Sequence, residues 1–593
     1  MCGICGELRF DGRPPDPAVV QLMTDRLARR GPDGEGRYLN GPVALGHRRL
    51  AVIDLSERAA QPMVDAASGL ALVFNGTIYN FPELRKELQA RGHVFTSSGD
   101  TEVILRAYAE WGEACPERLQ GMFAFAIWDS KRQQLFLARD RFGIKPLYYS
   151  ITHEAIRFAS TSQALLAAGD VDTAIDPVGL HRHFTLHAVV PAPRTVLRGL
   201  RKLAPGHSLV VQANRHRTLS RYWQLDALTC TDRLSEWEWI EATHEALRRA
   251  VERRRVIADV PVGILLSGGL DSSLLVALLA ESGCSDLLTF SVGFEDAPEE
   301  KGNEFEYSDL VAELYDTRHR RIHIPNSEVL SRLPEAVDEM SEPMVGQDTV
   351  AFYLLGERVS KEVKVVQSGQ GADEVFAGYF WYQQMHNAHG ADIDRFKPLY
   401  FDRTHDEMHA TLSEQYQGPD YSTPMVAQGL AASHGKRFLN RVLAYDVTTL
   451  IVDDPVKRVD NMTMAWGLEA RVPFLDQELV ELVTCMPPEI KLKSGGKHPL
   501  KVIARDLLPD IVIDRPKGYF PVPSLKYIRG RTLDFMRGVL ESQACRERGL
   551  YQRNYVNALL NNPEQSHTPL LGSKLWHLTL LEFWLQRNVD ISP

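Results

Sequence analysis

The chain has 593 residues, a formal net charge of −10, 44% hydrophobic residues and 24% charged residues. A chain of this length and balance is expected to be globular, with roughly two to four domains. The acidic balance argues against a nucleic-acid binder, which needs a basic face, and no uncharged apolar run reaches the length of a membrane span.

The seven cysteines are odd in number and scattered. They predict no disulfide framework and a reducing, cytoplasmic setting. The opening Met-Cys-Gly-Ile-Cys-Gly-Glu has neither the basic nor the apolar region of a signal peptide. Cys2 follows the initiator Met, and removal of that Met would place a thiol and a free α-amine on one residue. The amine has a pKa of roughly 7.7–8.0, so the pair is a self-contained nucleophile and base. Cys5 completes a formal Cys-x-x-Cys, but no second pair stands at zinc-site spacing. It reads as a small buried residue.

Next come Arg49 in Gly46-His47-Arg48-Arg49-Leu50, then Asn75-Gly76-Thr77 after the strand-like run Leu70–Phe74. Asp100 lies in Ser98-Gly99-Asp100-Thr101-Glu102, and Phe123–Asp129 and Arg139–Tyr149 follow. In this order the motifs resemble the class II, N-terminal-nucleophile glutamine amidotransferase domain across residues 2–160. The resemblance implies an αββα sandwich with Cys2 as nucleophile. It implies the Asn75 side chain and the Gly76 N–H at the oxyanion. Arg49 and Asp100 would bind the glutamine carboxylate and ammonium. One departure is Thr77, where asparagine synthetases usually carry Glu.

Hairpins over 191–211 are expected to close a domain spanning 2–211, with a polar linker at 212–235. A second domain then runs over 236–593. Its charged helical stretch at 236–256 leads to the apolar run Val260–Leu266 and to Ser267-Gly268-Gly269-Leu270-Asp271-Ser272-Ser273. The run reads as a buried parallel strand, and Leu274–Ala280 reads as a helix. A strand, a glycine turn and a helix N-terminus together present N–H groups to an anion. The turn lacks the Gly-Lys-Ser/Thr of a Walker A loop. Further strands are predicted at 287–294, 321–324 and 364–367, the last ending in Ser368-Gly369-Gln370-Gly371-Ala372-Asp373-Glu374. Alternating strands and helices predict a doubly wound parallel sheet with ligands at the strands' carboxyl ends.

The Ser-Gly-Gly-x-Asp-Ser turn resembles the pyrophosphate loop of enzymes that cleave ATP to AMP. With Glu469–Asp476 and Arg515–Pro523, residues 237–525 resemble the synthetase domain of asparagine synthetases, an ATP-pyrophosphatase fold of the adenine nucleotide alpha hydrolase type. The resemblance implies ATP as substrate, with Leu265, Val292, Ser368 and Gly369 near adenine and ribose. It implies Ser267, Gly268, Gly269, Asp271 and Ser272 at the pyrophosphate. Asp271 and Asp373 would hold Mg²⁺, and Lys517 would stabilise the adenylate and departing pyrophosphate.

Gln370 departs from the acid usual between the two glycines and makes the acceptor pocket neutral. With the opening Cys-Gly-Ile-Cys-Gly-Glu-Leu-Arg-Phe-Asp-Gly, it is most similar to the N-acetylglutaminylglutamine amidotransferase branch, whose members make an osmoprotectant. The implied reaction is amidation of an adenylated carboxylate with glutamine-derived ammonia, carried between the sites through a dry, apolar passage. The alternative acceptor is aspartate. The histidines of 383–440 show no clean ligand pattern and read as part of a helical insertion near the acceptor. The apolar helix around 575–584 reads as core or as a subunit contact, such as a homodimer would use.

Overall fold

The structure is a computed structural model that describes residues 1–226, 234–296, 298–299, 301–433, 435–515, 522, 525 and 527–590. In its N-terminal part, period-two alternation sorts side chains between two layers. Along strand Leu70–Ile78, Leu70, Leu72 and Phe74 face the helices Phe81–Ala90 and Asp100–Trp111, while Ala71 and Val73 face a second sheet. Strand Gly121–Asp129 repeats this, with Phe123, Phe125 and Ile127 on the helix side and Ala124, Ala126 and Trp128 between the sheets.

Each sheet has six strands among the described residues. One runs, in spatial order, Arg201–Lys202, Tyr148–Ile151, Ala155–Ala159, Gly3–Arg9, Val43–Arg49 and Gly34–Asn40. The other runs Arg217–Arg221, His207–Gln212, Gln134–Arg139, Gly121–Asp129, Leu70–Ile78 and Met63–Asp65. All pairings within both sheets are antiparallel. Strand Arg217–Arg221 lies inside the stretch expected to be linker. Every one of its residues is exposed and four are polar, so this edge strand leaves no hydrophobic alternation to read.

The C-terminal part holds a parallel sheet in the order Arg318–Ile324, Leu288–Phe294, Val262–Leu265, Val365–Gln367, Glu469–Arg471. Helix Leu270–Glu281 is apolar on all sides, and it is buried between this sheet and the helices Glu236–Val256 and His498–Ala504. A Ser235–Glu238 capping box starts helix Glu236–Val256, and Arg253, Arg254 and Arg255 close it. The insertion folds as helices Phe380–Asn387, Asp392–Tyr400, His405–Thr411 and Ser422–Ala432. Helix Lys574–Asn588 is core of this same chain. Trp576 and Trp584 donate through Nε1 to the carbonyls of Val345 (3.0 Å) and Met340 (2.7 Å).

Cys2, Cys5, Cys115, Cys284 and Cys545 are free thiols, whereas Cys485 is disulfide-bonded. The odd, scattered cysteines gave no sign of a pairing at Cys485, because pairing depends on which segments the fold brings together. Among the described residues no helix is long and apolar enough to cross a membrane.

The two halves share one apolar cluster, in which Met1, Leu50, Met122 and Ile144 meet Ile264, Val365, Val452 and Val472. The seam also carries buried charge. Asp460 accepts from Arg30 at 2.9 Å and from Lys145 at 3.1 Å, with all three side chains buried. Burial opposes ionisation of Asp460, but Arg30 and Lys145 outweigh it and lower its pKa. Asp460→Ala would leave two buried cations without their counter-charge. Its expected cost is about 3–5 kcal/mol, read as a lower denaturant midpoint. An unchanged midpoint would show that the seam does not depend on this triad.

Candidate active sites

The first site lies where the two N-terminal sheets meet strand Glu469–Arg471. A small cavity there is lined by Met1, Cys2, Arg49, Leu50, Gly76, Thr77, Asp100 and Glu469, among others. The fold therefore gathers Cys2, Arg49, Gly76 and Asp100 from four separate segments. Asn75 stands beside them, its Oδ1 accepting from the Cys2 N–H at 3.0 Å. Burial raises the Cys2 thiol pKa, and the N-terminal ammonium, a hydrogen bond with the Leu50 backbone and Arg49 oppose that rise. A Cβ at position 76 would sit 2.1 Å from the Met122 carbonyl oxygen. Only glycine lets the strand pass there, which keeps the backbone beside Asn75 open to the cavity.

Two residues of the cavity also make hydrogen bonds within the protein. Arg49 donates to the carbonyls of Ser56 (2.9 Å) and Asp54, so it shapes the 50–56 loop while lining the cavity. Asp100 opens helix Asp100–Trp111 and accepts from the Ile78 N–H at 3.0 Å. Burial pushes its pKa up to about 6, and nearby Glu469 adds to that.

Glu469 is the residue that sequence reasoning missed here. In the sequence it stands only in the Glu469–Asp476 motif of the distant domain. Its Oε2 accepts from the Met1 ammonium at 2.8 Å, and its Oε1 accepts from Thr77 Oγ1 (3.1 Å) and Arg471 Nε (2.6 Å). Burial works against its charge, but the ammonium, Arg471 and Lys145 hold its pKa at about 2. Thr77, the departure noted in the sequence, thus supplies a hydroxyl to a carboxylate from the other half.

The second site lies at the carboxyl ends of the neighbouring strands Val262–Leu265 and Val365–Gln367, where the two glycine turns meet. Serines set the first turn. Ser272 Oγ accepts from the Ser267 N–H at 3.1 Å, and Ser267 Oγ accepts from the Gly269 N–H at 3.3 Å. Gly268, at φ +74°, backs onto the 307–308 chain, and a Cβ there would lie 2.6 Å from the Ser308 nitrogen.

A cavity of about 460 Å³ above the turn is lined by Leu265, Ser267, Gly269, Asp271, Ser272, Val292, Ser368, Gly369, Gln370 and Asp373. Phe290, Phe352 and Leu355 add an apolar wall, suited to a flat aromatic ring. Lys517 lies outside the described residues. Lys497 enters the site, and its Nζ is 2.6 Å from Asp271 Oδ2 and 2.8 Å from Asp373 Oδ1. Burial disfavours this ammonium, but the two carboxylates outweigh that and raise its pKa. Its signal in the sequence was the Gly495-Gly496 pair, at φ +78° and +98°, just before Lys497, itself at φ +54°. Arg515 also lines the cavity and pairs with Glu304 at 2.9 Å.

A larger cavity of about 710 Å³ adjoins the first. Glu304, Asp348, Gln370 and Asp373 line both. Its walls include Tyr307, Tyr379, Trp381, Tyr400 and Trp576, together with the amides of Asn303 and Gln347. The inserted helices thus do form part of the wall beside Gln370.

An asparagine synthase family model matches residues 242–586, and a glutamine amidotransferase domain model matches residues 1–223. Asparagine synthetase [glutamine-hydrolyzing] 3 of Bacillus subtilis is 32% identical, over 88% of this chain and 87% of that protein. Asparagine synthetase [glutamine-hydrolyzing] 1 of the same organism is 29% identical, over 100% and 97%. A putative asparagine synthetase [glutamine-hydrolyzing] of Mycobacterium tuberculosis is 33% identical, over 89% of each chain. With the two cavities and the two domain matches in register, the chain belongs to the asparagine synthase family, as a glutamine-dependent amidotransferase of the ligase type.

Proposed function

We propose that the chain amidates the carboxylate of a blocked dipeptide, N-acetylglutaminylglutamine, in the cytoplasm. The observation that carries this reading is the pair of adjoining cavities joined at Gln370 and Asp373. At the first site the Cys2 thiolate would attack the glutamine amide carbonyl, with Asn75 and the Gly76 N–H receiving the oxyanion. Ammonia leaves, and water releases glutamate from the thioester. Removal of Met1 would free the Cys2 amine to act as the base.

At the second site the acceptor carboxylate would attack the ATP α-phosphorus, giving an acyl-adenylate and pyrophosphate. Ammonia then displaces AMP to form the amide. The residues present fit magnesium: the Asp271 and Asp373 carboxylates already converge on one cation, the Lys497 ammonium, and oxygen donors are what this metal takes. Asp271 and Asp373 would hold it, and when bound it offsets phosphate charge. Lys497, and Lys517 by resemblance, would add positive charge at the phosphates.

The cavity volume favours an acceptor larger than aspartate, lying within the roughly 300–1,000 Å³ that suits drug-sized ligands. Gln370, Gln347 and Asn303 offer neutral amides to read an acyl or peptide group. The aspartate reading is favoured by the names of the curated relatives. The test is kcat/KM for both acceptors. The wild type should prefer the blocked dipeptide, and Gln370→Glu should lower its turnover, each tenfold loss equalling about 1.4 kcal/mol of transition-state binding. A wild type that amidates aspartate better than the dipeptide would replace this reading with asparagine synthesis.

A further inference from the structure

Three residues from distant parts of the chain converge beside the larger cavity. His187 follows helix Pro177–Thr185 of the N-terminal half, Asp402 follows the inserted helix Asp392–Tyr400, and His577 lies in the first turn of helix Lys574–Asn588. His187 Nδ1 is 3.1 Å from Asp402 Oδ2, and His577 Nδ1 is 3.4 Å from the same oxygen. One ligand atom from each of the three lies within 4.8 Å of the others.

This cluster is buried and under-satisfied. Asp402 and His577 are each 1% exposed. Among the described residues, Asp402 Oδ1 and both ring nitrogens of His577 find no hydrogen-bond partner. The adjacent Arg403 is already committed to the carbonyls of Phe184 and Lys574 and to the Tyr555 hydroxyl. Buried polar atoms in this state lack a partner that the fold otherwise supplies. The backbone is also bent to present the first ligand, since His187 and Ala188 sit at φ +53° and +63°, a region that non-glycine residues enter rarely. Gly572 lets the rings close together. A Cβ there would lie 2.9 Å from His577 Nε2 and 3.1 Å from His187 Cε1.

We propose that His187, Asp402 and His577 bind a divalent transition-metal ion of the zinc class, distinct from the nucleotide's magnesium. Two imidazoles with one carboxylate are a nitrogen-rich donor set that zinc takes, and the two imidazoles are what a magnesium site lacks. Tetrahedral ligands at zinc's bond lengths stand about 3.4 Å apart, close to the two distances to Asp402. The ion would pin the N-terminal half, the insertion and the C-terminal helix at the cavity wall, where His187, Gly572, Ser573 and Trp576 face the acceptor space. Sequence reading set aside a metal in 383–440 because the histidines there form no pattern. The ligands are one residue from each of three segments, so no spacing records them.

The full chain, purified without chelator, is to be incubated with zinc chloride, desalted and analysed by elemental mass spectrometry. Wild type should retain about one zinc per chain, and His187→Gln and Asp402→Asn should each lose most of it. His187 is the most exposed of the three, so His187→Gln keeps the test open if Asp402→Asn does not fold. Cobalt loading of wild type should give the visible bands of a tetrahedral nitrogen–oxygen site. No retained zinc in wild type, equal zinc in folded His187→Gln, or a thiolate–cobalt charge-transfer band pointing to Cys2 would each overturn the assignment. None of these readouts depends on the acceptor.

Discussion

Cys2→Ala is expected to lower glutamine-dependent product formation by on the order of 10³-fold or more, since it removes the attacking atom itself. Amidation fed with ammonium salts should stay near the wild-type rate, because the second site uses ammonia from any source. The substitution is small. Cys2 sits at the end of a buried strand in a cavity lined also by Leu50 and Val52, and alanine keeps the backbone N–H that Asn75 accepts. The measurement is product per unit time with each nitrogen donor. Equal loss with both donors would mean that Cys2 matters for the fold or the seam and not as a nucleophile. Glu469 makes that outcome worth testing, because it ties the N-terminal ammonium to the synthetase sheet.

Asp271→Asn and Asp373→Asn are expected to reduce AMP and pyrophosphate formation by on the order of 10²–10³-fold each. Both carboxylates line the cavity above the glycine turns and both pair with Lys497. Either change removes one negative oxygen donor and leaves the ammonium with a single counter-charge. The site, now neutral where it carried one net negative charge, would favour phosphate binding while weakening the metal's hold, so KM for ATP should change less than kcat. Glutaminase activity should persist, since the Cys2 cavity contains neither residue. Pyrophosphate release and glutamate release, measured on the same preparations, separate the two sites. Normal ATP cleavage in both variants would remove these residues from the nucleotide site.

Much of this was legible in the sequence where short-range rules apply. The strands at 287–294 and 364–367 appear as Leu288–Phe294 and Val365–Gln367, because each is an apolar run bounded by turns. Strand Glu469–Arg471 was not legible. Its three residues include two charges, yet all three are buried, because Glu469 and Arg471 pair with each other, Glu469 also accepts from Thr77 of the opposite half, and Arg471 also donates to the Arg254 and Ile257 carbonyls. Charged residues are read as exposed unless their partners are known. Lys497 was missed for the same reason, since its two carboxylates lie more than a hundred positions away.

The sequence by itself determined the family, the two chemistries and the residues at each glycine turn. Those depend on backbone geometry and residue type within a few positions, which local sequence encodes. Tertiary structure alone decided what stands between the sites and beside Gln370. It set a charged seam of Arg30, Lys145, Asp460 and Glu469 among apolar side chains. It also placed an aromatic cavity against Gln370 and brought a His–Asp–His cluster together from three segments. These are long-range meetings of side chains. Their energetics rest on burial and on partners that only packing supplies, and no periodicity or spacing along the chain records them.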